Sequence, residues 1–292
     1  MSEVAPVVLG IDGSPADEAV LRWGIEQARS RNVALRLVSA YLWALYYPWE
    51  IAYKDVQVPE LAEAHREADG LLRRTSKRVA AAHPDLDLQV AALEGSPVEI
   101  LLEESHRAAM MVLGSRQRAT LGSVLLGSVA ATVSARAGCP VVVIRGPESE
   151  PGPDSQVIVG VDGAGGSESV LEFALDHAGR NRLPVTALLC WRGDRLAITR
   201  RPAGPSSTDR AQQWLNETMA GWAAKHPEVP VRAAVIRDHP VAGLVANSIG
   251  QSLLVVGTHG RHALAGTLLG SVSQGVLHHA RCPVAVVPSH RG

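Results

Sequence analysis

Along the first half of the chain, short apolar runs alternate with stretches in which apolar and polar positions repeat at helical spacing. Five runs predict buried strands: "PVVLGID", "ALRLVSAY", "LQVAALEG", "AMMVLGS" and "PVVVIRG". Helices are predicted between them, in "ADEAVLRWGIEQARSRN", "EAHREADGLLRRTSKRVAAAHP", "SPVEILLEESHR" and "GSVLLGSVAATVSARAG". Because strand and helix alternate and the strands are continuously apolar, the pattern predicts an α/β fold, with a parallel sheet covered by helices on both faces.

The same pattern occurs twice in the chain. "VVLGIDGS" in the first half is answered by "VIVGVDGA", which pairs Asp12 with Asp162 at an offset of 150 residues. Cys139 and Cys282 pair at an offset of 143, so the second copy is seven residues shorter between these points. Proline, glycine and charged residues in "RGPESEPGPDSQ" predict a linker between the copies. The 292 residues are therefore predicted to form two domains, residues 1–146 and 155–292.

Composition and charge exclude several classes of function. A net charge of -1 provides no field that would hold nucleic acid or an anionic membrane. The chain has no apolar run near the ~18 residues of a membrane span, and its N-terminus does not read as a signal peptide. Three cysteines without CxxC spacing suit a reducing compartment. We expect a cytoplasmic protein that binds neither nucleic acid nor membrane.

A glycine stretch follows the fourth predicted strand of each copy. "GTHGRHALAGTLLGS", from Gly257 to Ser271, has the frame G-x2-G-x9-G-S; "GSRQRATLGSVLLGS", from Gly114, has Gln117 in place of the second glycine. Glycine permits positive φ and a close approach of backbone N–H groups to a phosphate, and the following helix N-terminus favours an anion. The stretch predicts a phosphate-binding loop; the alternative is a tight turn that only brings helix and sheet together. It is not a Walker A loop, since the chain contains no "GK".

Asp12 and Asp162 each end the first strand of a copy. Ligands of open parallel sheets bind beyond the carboxyl ends of the strands, where a carboxylate can accept hydrogen bonds from ribose hydroxyls or an adenine amine. The alternative is that each aspartate caps the next helix. Recurrence in two diverged copies favours ligand binding.

These motifs together resemble the universal stress protein family in its two-domain form. The resemblance rests on "GIDGS" and "GVDGA" at the first strands, on the G-x2-G-x9-G-S frame, and on "CPV" at the last strands, and it covers nearly the whole chain. It implies ATP binding, with Mg²⁺ on the phosphates. It also implies two tandem open parallel five-stranded sheets, Rossmann-like and adenine nucleotide alpha hydrolase-like, whose last strands pair across a pseudo-twofold axis. Such an internal pseudo-dimer makes a monomer self-sufficient and is compatible with a homodimer.

The resemblance also implies which residues contact the nucleotide, and that backbone groups of Cys190 recognise adenine. In the second domain they are Val161, Asp162, Cys190, Gly257, His259, Gly260, Gly270, Ser271 and Val272. In the first domain the matching positions are Ile11, Asp12, Ala40, Gly114, Arg116, Gly127, Ser128 and Val129. Gln117 departs from the pattern: at positive φ it costs about 1 kcal/mol, and its side chain can fill phosphate space. We expect the second site to bind ATP better than the first. Binding at both sites remains an alternative if the loop tolerates Gln117 or if Arg116 compensates the charge of the phosphates.

Two further clusters of residues have side chains suited to binding. The histidines His259, His262, His278 and His279, together with Cys282, match no closed zinc set, so no metal site is expected beyond the magnesium of ATP. The aromatic segment, residues 41–53, is either a loop folded over the sheet edge or domain junction, or a contact for a protein partner or second protomer. No spacing identifies a nucleophile with a positioned base, and no catalytic residue is assigned.

The sequence therefore predicts an ATP-binding regulatory or stress-response factor. Nucleotide occupancy would alter domain geometry or the choice of partner, with at most slow hydrolysis, because no arginine-finger or Walker B pattern stands out. One alternative is a nucleotide-independent scaffold that binds partners through the aromatic segment; the intact second glycine motif argues against it. The other is an adenylyl-transfer enzyme of a related α/β superfamily, but the chain lacks a HIGH-like tetrad and an SGGxDS loop.

Overall fold

A computed structural model describes most of the chain as alternating strands and helices. The described residues are 4–41, 59–115, 126–145, 151–163, 167–190, 208–258 and 269–288. Their strands are β1 (Val7–Gly10), β2 (Leu35–Tyr41), β3 (Leu88–Glu94), β4 (Met110–Gly114), β5 (Val141–Ile144), β6 (Val157–Val161), β7 (Val185–Cys190), β8 (Val231–Ile236), β9 (Leu253–Gly257) and β10 (Val284–Val287). Their helices are α1 (Asp17–Arg31), α2 (Pro59–Ala82), α3 (Pro97–Ser105), α4 (Ser128–Arg136), α5 (Glu168–Asn181), α6 (Thr208–Lys225), α7 (Pro240–Ala246) and α8 (Ser271–His279).

The first compact unit comprises Met1–Gly114 and Ala137–Cys139. Its strands run in the order β3-β2-β1-β4, and the described pairs are all parallel. β1 lies between β2 and β4 and is buried, because helices cover both faces of a parallel sheet. Leu9 and Met110 are fully buried there. The apolar runs of β1, β2 and β4 therefore form its core, as predicted, whereas β3 at the sheet edge is only half-buried and β5 belongs to the second unit.

The second compact unit comprises Ser115–Arg136 and Pro140–Gly292. Its strands run in the order β5-β10-β9-β6-β7-β8. The described pairs are parallel except that β5 is antiparallel to β10, with Val143 opposite Val284. The α/β fold with mostly parallel strands is confirmed. The expected pairing of the two last strands, "PVVVIRG" with "PVAVVPS", is also confirmed.

The division into units does not follow the predicted linker, because β5 hydrogen-bonds with β10. Both end residues of that linker are anchored within the second unit. Arg145 is buried and donates to the carbonyl oxygens of Leu277 and His278. The Gln156 N–H donates to Gln251 Oε1 at 3.0 Å. The boundaries 1–146 and 155–292, which already place Arg145 and Gln156 inside the domains, stay a prediction.

Corresponding helices of the two copies end in the same way. Asn32 follows α1 with φ 53° and Arg182 follows α5 with φ 54°, and their N–H groups bond to carbonyls of the last helical turn. This left-handed residue closes each helix before the next strand. α2 starts earlier than predicted, at Pro59, and the described part of the fourth helix starts only at Ser128. Among the described helices, none has the length and apolar character that crossing a bilayer requires.

Candidate functional site

Three predicted site segments of the second unit lie at the carboxyl ends of adjacent strands. β6 lies between β7 and β9 in the sheet. Val161 ends β6 opposite Leu189, Cys190 ends β7 one residue later, and Gly257 ends β9 opposite Val287 of β10. Asp162 follows Val161 directly and is half-buried. The fold therefore brings Val161, Asp162, Cys190 and Gly257 to one edge of the sheet.

The N-terminus of α8 is held at the same edge by two hydrogen bonds. The Gly270 N–H donates to the Thr258 carbonyl at 2.8 Å, and the Ser273 hydroxyl donates to the Gly257 carbonyl at 2.5 Å. Gly270 is the N-cap residue, and among the described side chains none caps this end. N–H groups of a first helical turn have no intrahelical partner, so those of Ser271 and Val272 make no hydrogen bond within α8. Both ends of the glycine stretch are thereby fixed beside β9.

Each predicted aspartate precedes a glycine that needs its conformational freedom. Gly13 has φ +81° and Gly163 has φ +71°, a region that side chains avoid. The helix-capping alternative is not what the structure shows, since the N-cap residues of α1 and α5 are Ala16 and Ser167. Asp12 Oδ1 instead accepts a hydrogen bond from the Ser14 N–H at 3.0 Å.

The side chain of Cys190 is packed against α7. Gly243 of that helix approaches so closely that a Cβ there would lie 2.7 Å from Cys190 Sγ. Burial, with a smaller contribution from the charge of Asp238, raises the pKa of the Cys190 thiol to about 11. A neutral, packed thiol is a poor nucleophile. The thiol of Cys190 is therefore a packing group beneath α7.

The first repeat's candidate residues are divided between the two units. Ile11 is buried, and its N–H donates to the Val38 carbonyl at 2.9 Å; Asp12 is exposed beside it. Ala40 lies in β2 opposite Leu93, and Gly114 ends β4. These positions lie at carboxyl ends of strands in the first unit. The remaining described candidates, Gly127, Ser128 and Val129, begin α4 and belong to the second unit.

Several predicted features lie outside the described residues. They are His259 and Gly260 of the second glycine stretch, Arg116 and Gln117 of the first, and the aromatic segment beyond Tyr41. Tyr41 itself packs edge-to-face against His65, with ring centroids 5.2 Å apart. Within the ranges that the structure describes, no group of three or more metal-ligating side chains is placed to hold an ion.

Three residues near the ends of these elements were not singled out by the sequence. The Asp17 carboxylate accepts from the Gly13 N–H at 2.8 Å, Ser273 bonds to Gly257, and Arg145 bonds to the last turn of α8. The repeat offsets match them with Ser167, Ala130 and Pro288 of the other copy. Most positions of the two copies differ, so the difference alone does not single these three residues out.

The fold and its strand-end loops define a two-repeat α/β protein, and comparison with known proteins identifies the class. The model of the Universal stress protein family matches residues 4–145 and 155–288. Universal stress protein Rv2005c of Mycobacterium tuberculosis is 36% identical over 293 residues, covering 96% of each chain. Universal stress protein Rv2623 of the same organism is 32% identical over 289 residues, covering 96% of this chain and 95% of that one.

A solved structure agrees at the level of the fold. The crystal structure of a universal stress protein from Archaeoglobus fulgidus matches with a TM-score of 0.74 at 17% identity, covering 99% of this chain and 100% of that one. The chain belongs to the universal stress protein family, as its motifs indicated, and its role lies in the stress response.

Proposed function

We propose that the chain is an ATP-binding regulator of the stress response, in which nucleotide occupancy alters domain geometry or the choice of partner. One observation carries the proposal. The carboxyl ends of β6, β7 and β9 and the N-terminus of α8 meet at a single edge of the second unit, where Gly270 and Ser273 fix both ends of the glycine stretch.

The donors and acceptors at this edge fit an adenine nucleotide. Backbone groups at Val161 and Cys190 suit the adenine edge, and the Asp162 carboxylate suits ribose hydroxyls. The hydroxyl of Ser271 and the first N–H groups of α8 suit the phosphates, since the positive end of a helix dipole favours an anion. His259 and Gly260 of the intervening stretch complete the proposed set. Magnesium would be held mainly by the phosphate oxygens, as is usual for this ion.

The same residues argue for slow turnover. The thiol of Cys190 is neutral and packed under α7, so it supplies no nucleophile. Asp162 is the carboxylate proposed to hold the ribose, which leaves it out of position as a base for water at the γ-phosphate. Phosphoryl transfer relies on positioned water and on cations that neutralise developing charge. We therefore propose that ATP acts as a bound ligand rather than as a rapidly consumed substrate.

Calorimetry with MgATP tests the proposal. We expect about one ATP per chain, with an affinity that falls about tenfold or more in Asp162→Ala because two ribose hydrogen bonds are lost. Gly260→Ala should weaken binding similarly, because a Cβ would obstruct the phosphates. Asp12→Ala is the matched control from the first repeat and should leave the affinity of the second site unchanged. Absence of binding by the wild-type chain would contradict the proposal and favour the nucleotide-independent scaffold.

A further inference from the structure

The turn between β1 and α1 contains an anion supplied by the chain itself. The Gly13 N–H donates to Asp17 Oδ2 at 2.8 Å, and the Asp12 N–H lies 3.5 Å from Asp17 Oδ1, at the limit of a hydrogen bond. Asp17 is the first residue of α1, so its carboxylate also sits at the positive end of that helix. Main-chain donors in a turn with positive φ, beside a helix N-terminus, form the kind of concavity that binds anions. Here the carboxylate occupies it.

The second repeat has the corresponding glycine at positive φ but lacks this carboxylate. Asp162 and Gly163 correspond to Asp12 and Gly13 at an offset of 150, and both glycines have positive φ. The same offset matches Asp17 with Ser167, the N-cap residue of α5. Its side chain makes no capping hydrogen bond, and its carbonyl accepts from the Leu171 N–H at 2.9 Å. The two copies therefore differ by one negative charge at an equivalent position.

This charge lies beside the start of the first glycine stretch. A Cβ at Gly114, the last residue of β4, would lie 2.8 Å from the Cβ of Ala16, the residue directly before Asp17. The beginning of α1 is thus packed against the strand end from which the first glycine stretch leaves. A triphosphate approaching this strand end meets the Asp17 carboxylate in addition to Asp12, whose counterpart Asp162 is present in the second repeat, and two like charges repel.

We propose that Asp17 is an internal anion that closes the first repeat to nucleoside triphosphate, so that the second repeat, with Ser167 at this position, takes the ligand. The inference rests on the proposed function. It adds a determinant to Gln117, because Asp17 belongs to α1 and not to the glycine stretch. Burial, together with the nearby charge of Asp12, raises the pKa of Asp17 to about 6, against the lowering effect of its hydrogen bonds. The carboxyl is therefore ionised at about pH 8, where binding is best measured.

The test is MgATP calorimetry at about pH 8 on five full-length proteins: wild type, Gln117→Gly, the double variant Gln117→Gly/Asp17→Ser, Ser167→Asp and Ser167→Asn. We expect about one ATP per chain for wild type and Gln117→Gly, and about two for the double variant. Ser167→Asp should lose about tenfold or more in affinity, whereas Ser167→Asn, similar in shape but uncharged, should lose far less. Far-ultraviolet circular dichroism checks that each variant is folded.

Each outcome decides between the alternatives. Two ATP molecules bound by Gln117→Gly alone would overturn the inference, because the glutamine would then be sufficient to close the first site. Equal affinities of wild type and Ser167→Asp would overturn it as well. In both cases the wild type still binds ATP and the proposed function stands. Absence of binding in all five proteins is a different result, which overturns the proposed function together with the inference.

Discussion

Arg145 provides the sharpest test of how the last strand of the first repeat is built into the second unit. It follows β5, is only 7% exposed, and donates to the carbonyl oxygens of Leu277 and His278 in the last turn of α8. A hydrogen bond from a charged group contributes about 1.5–3 kcal/mol, so two contribute about 3–6 kcal/mol. Burial disfavours the charge and lowers the pKa of Arg145, which offsets part of this gain. We therefore expect Arg145→Met, which keeps an apolar stem, to lower the free energy of unfolding by about 2–3 kcal/mol.

Urea unfolding, followed by circular dichroism and tryptophan fluorescence, measures this change. Arg136→Met is the matched control: Arg136 also lies in a last helical turn, that of α4, but is exposed, so its replacement should cost less than about 0.5 kcal/mol. Hydrogen exchange adds a local readout, because the Ala280 N–H, which bonds to the Val276 carbonyl, should lose protection in Arg145→Met alone. Equal stabilities of the two variants would refute the reasoning.

Three further predictions concern single contacts. Gly243→Ala should destabilise the protein by about 1–2 kcal/mol in urea unfolding and weaken ATP binding, because its Cβ would lie 2.7 Å from Cys190 Sγ. The control Gly221→Ala, whose Cβ would have nothing within 4 Å, should be neutral or stabilising. Equal losses of stability in the two variants would contradict the account. Ser273→Ala should lower the free energy of unfolding by about 1 kcal/mol, because the hydroxyl that bonds to the Gly257 carbonyl is lost. The affinity for ATP, measured by calorimetry, should fall as well. An unchanged affinity would argue against a role of this hydroxyl in fixing the glycine stretch. Burial raises the pKa of Asp17 from 3.8 to about 6, so its stabilising contribution is complete below about pH 4 and is lost as the pH rises through about 6. Urea unfolding across that range should show a loss of about 1 kcal/mol that is absent in Asp17→Asn, and identical pH profiles would contradict it.

The sequence predicts most of the fold because parallel strands are buried on both faces. β9, with the sequence LLVVG, and β1, with VVLG, are apolar at nearly every position, as strands covered on both faces require. Composition is a poorer guide at the join between the copies. Arg145 and Gln156 look like linker residues, but a guanidinium bonded to a helix end and an amide bonded to Gln251 make them structural.

The candidate site could be predicted in part for a related reason. Strand ends, and the loops that follow them, converge at one edge of a parallel sheet, so Asp162, Cys190 and Gly257 could be expected together from their order alone. Contacts such as that of Arg145 with Leu277, 132 residues away, depend on strand pairing and have no local signal. Asp17 bonds only four residues back along the chain, yet an acidic residue in the first turn of a helix is so common that it does not stand out.

The central claim is that the carboxyl edge of the second unit binds ATP, and hydrogen–deuterium exchange with and without MgATP tests it most directly. We predict slower exchange in peptides that contain Asp162, Cys190, Gly257 and the first turn of α8, and no change in the matching peptides around Asp12 and Ala40. Unchanged exchange at the second unit's strand ends, or protection confined to the first repeat, would contradict the account.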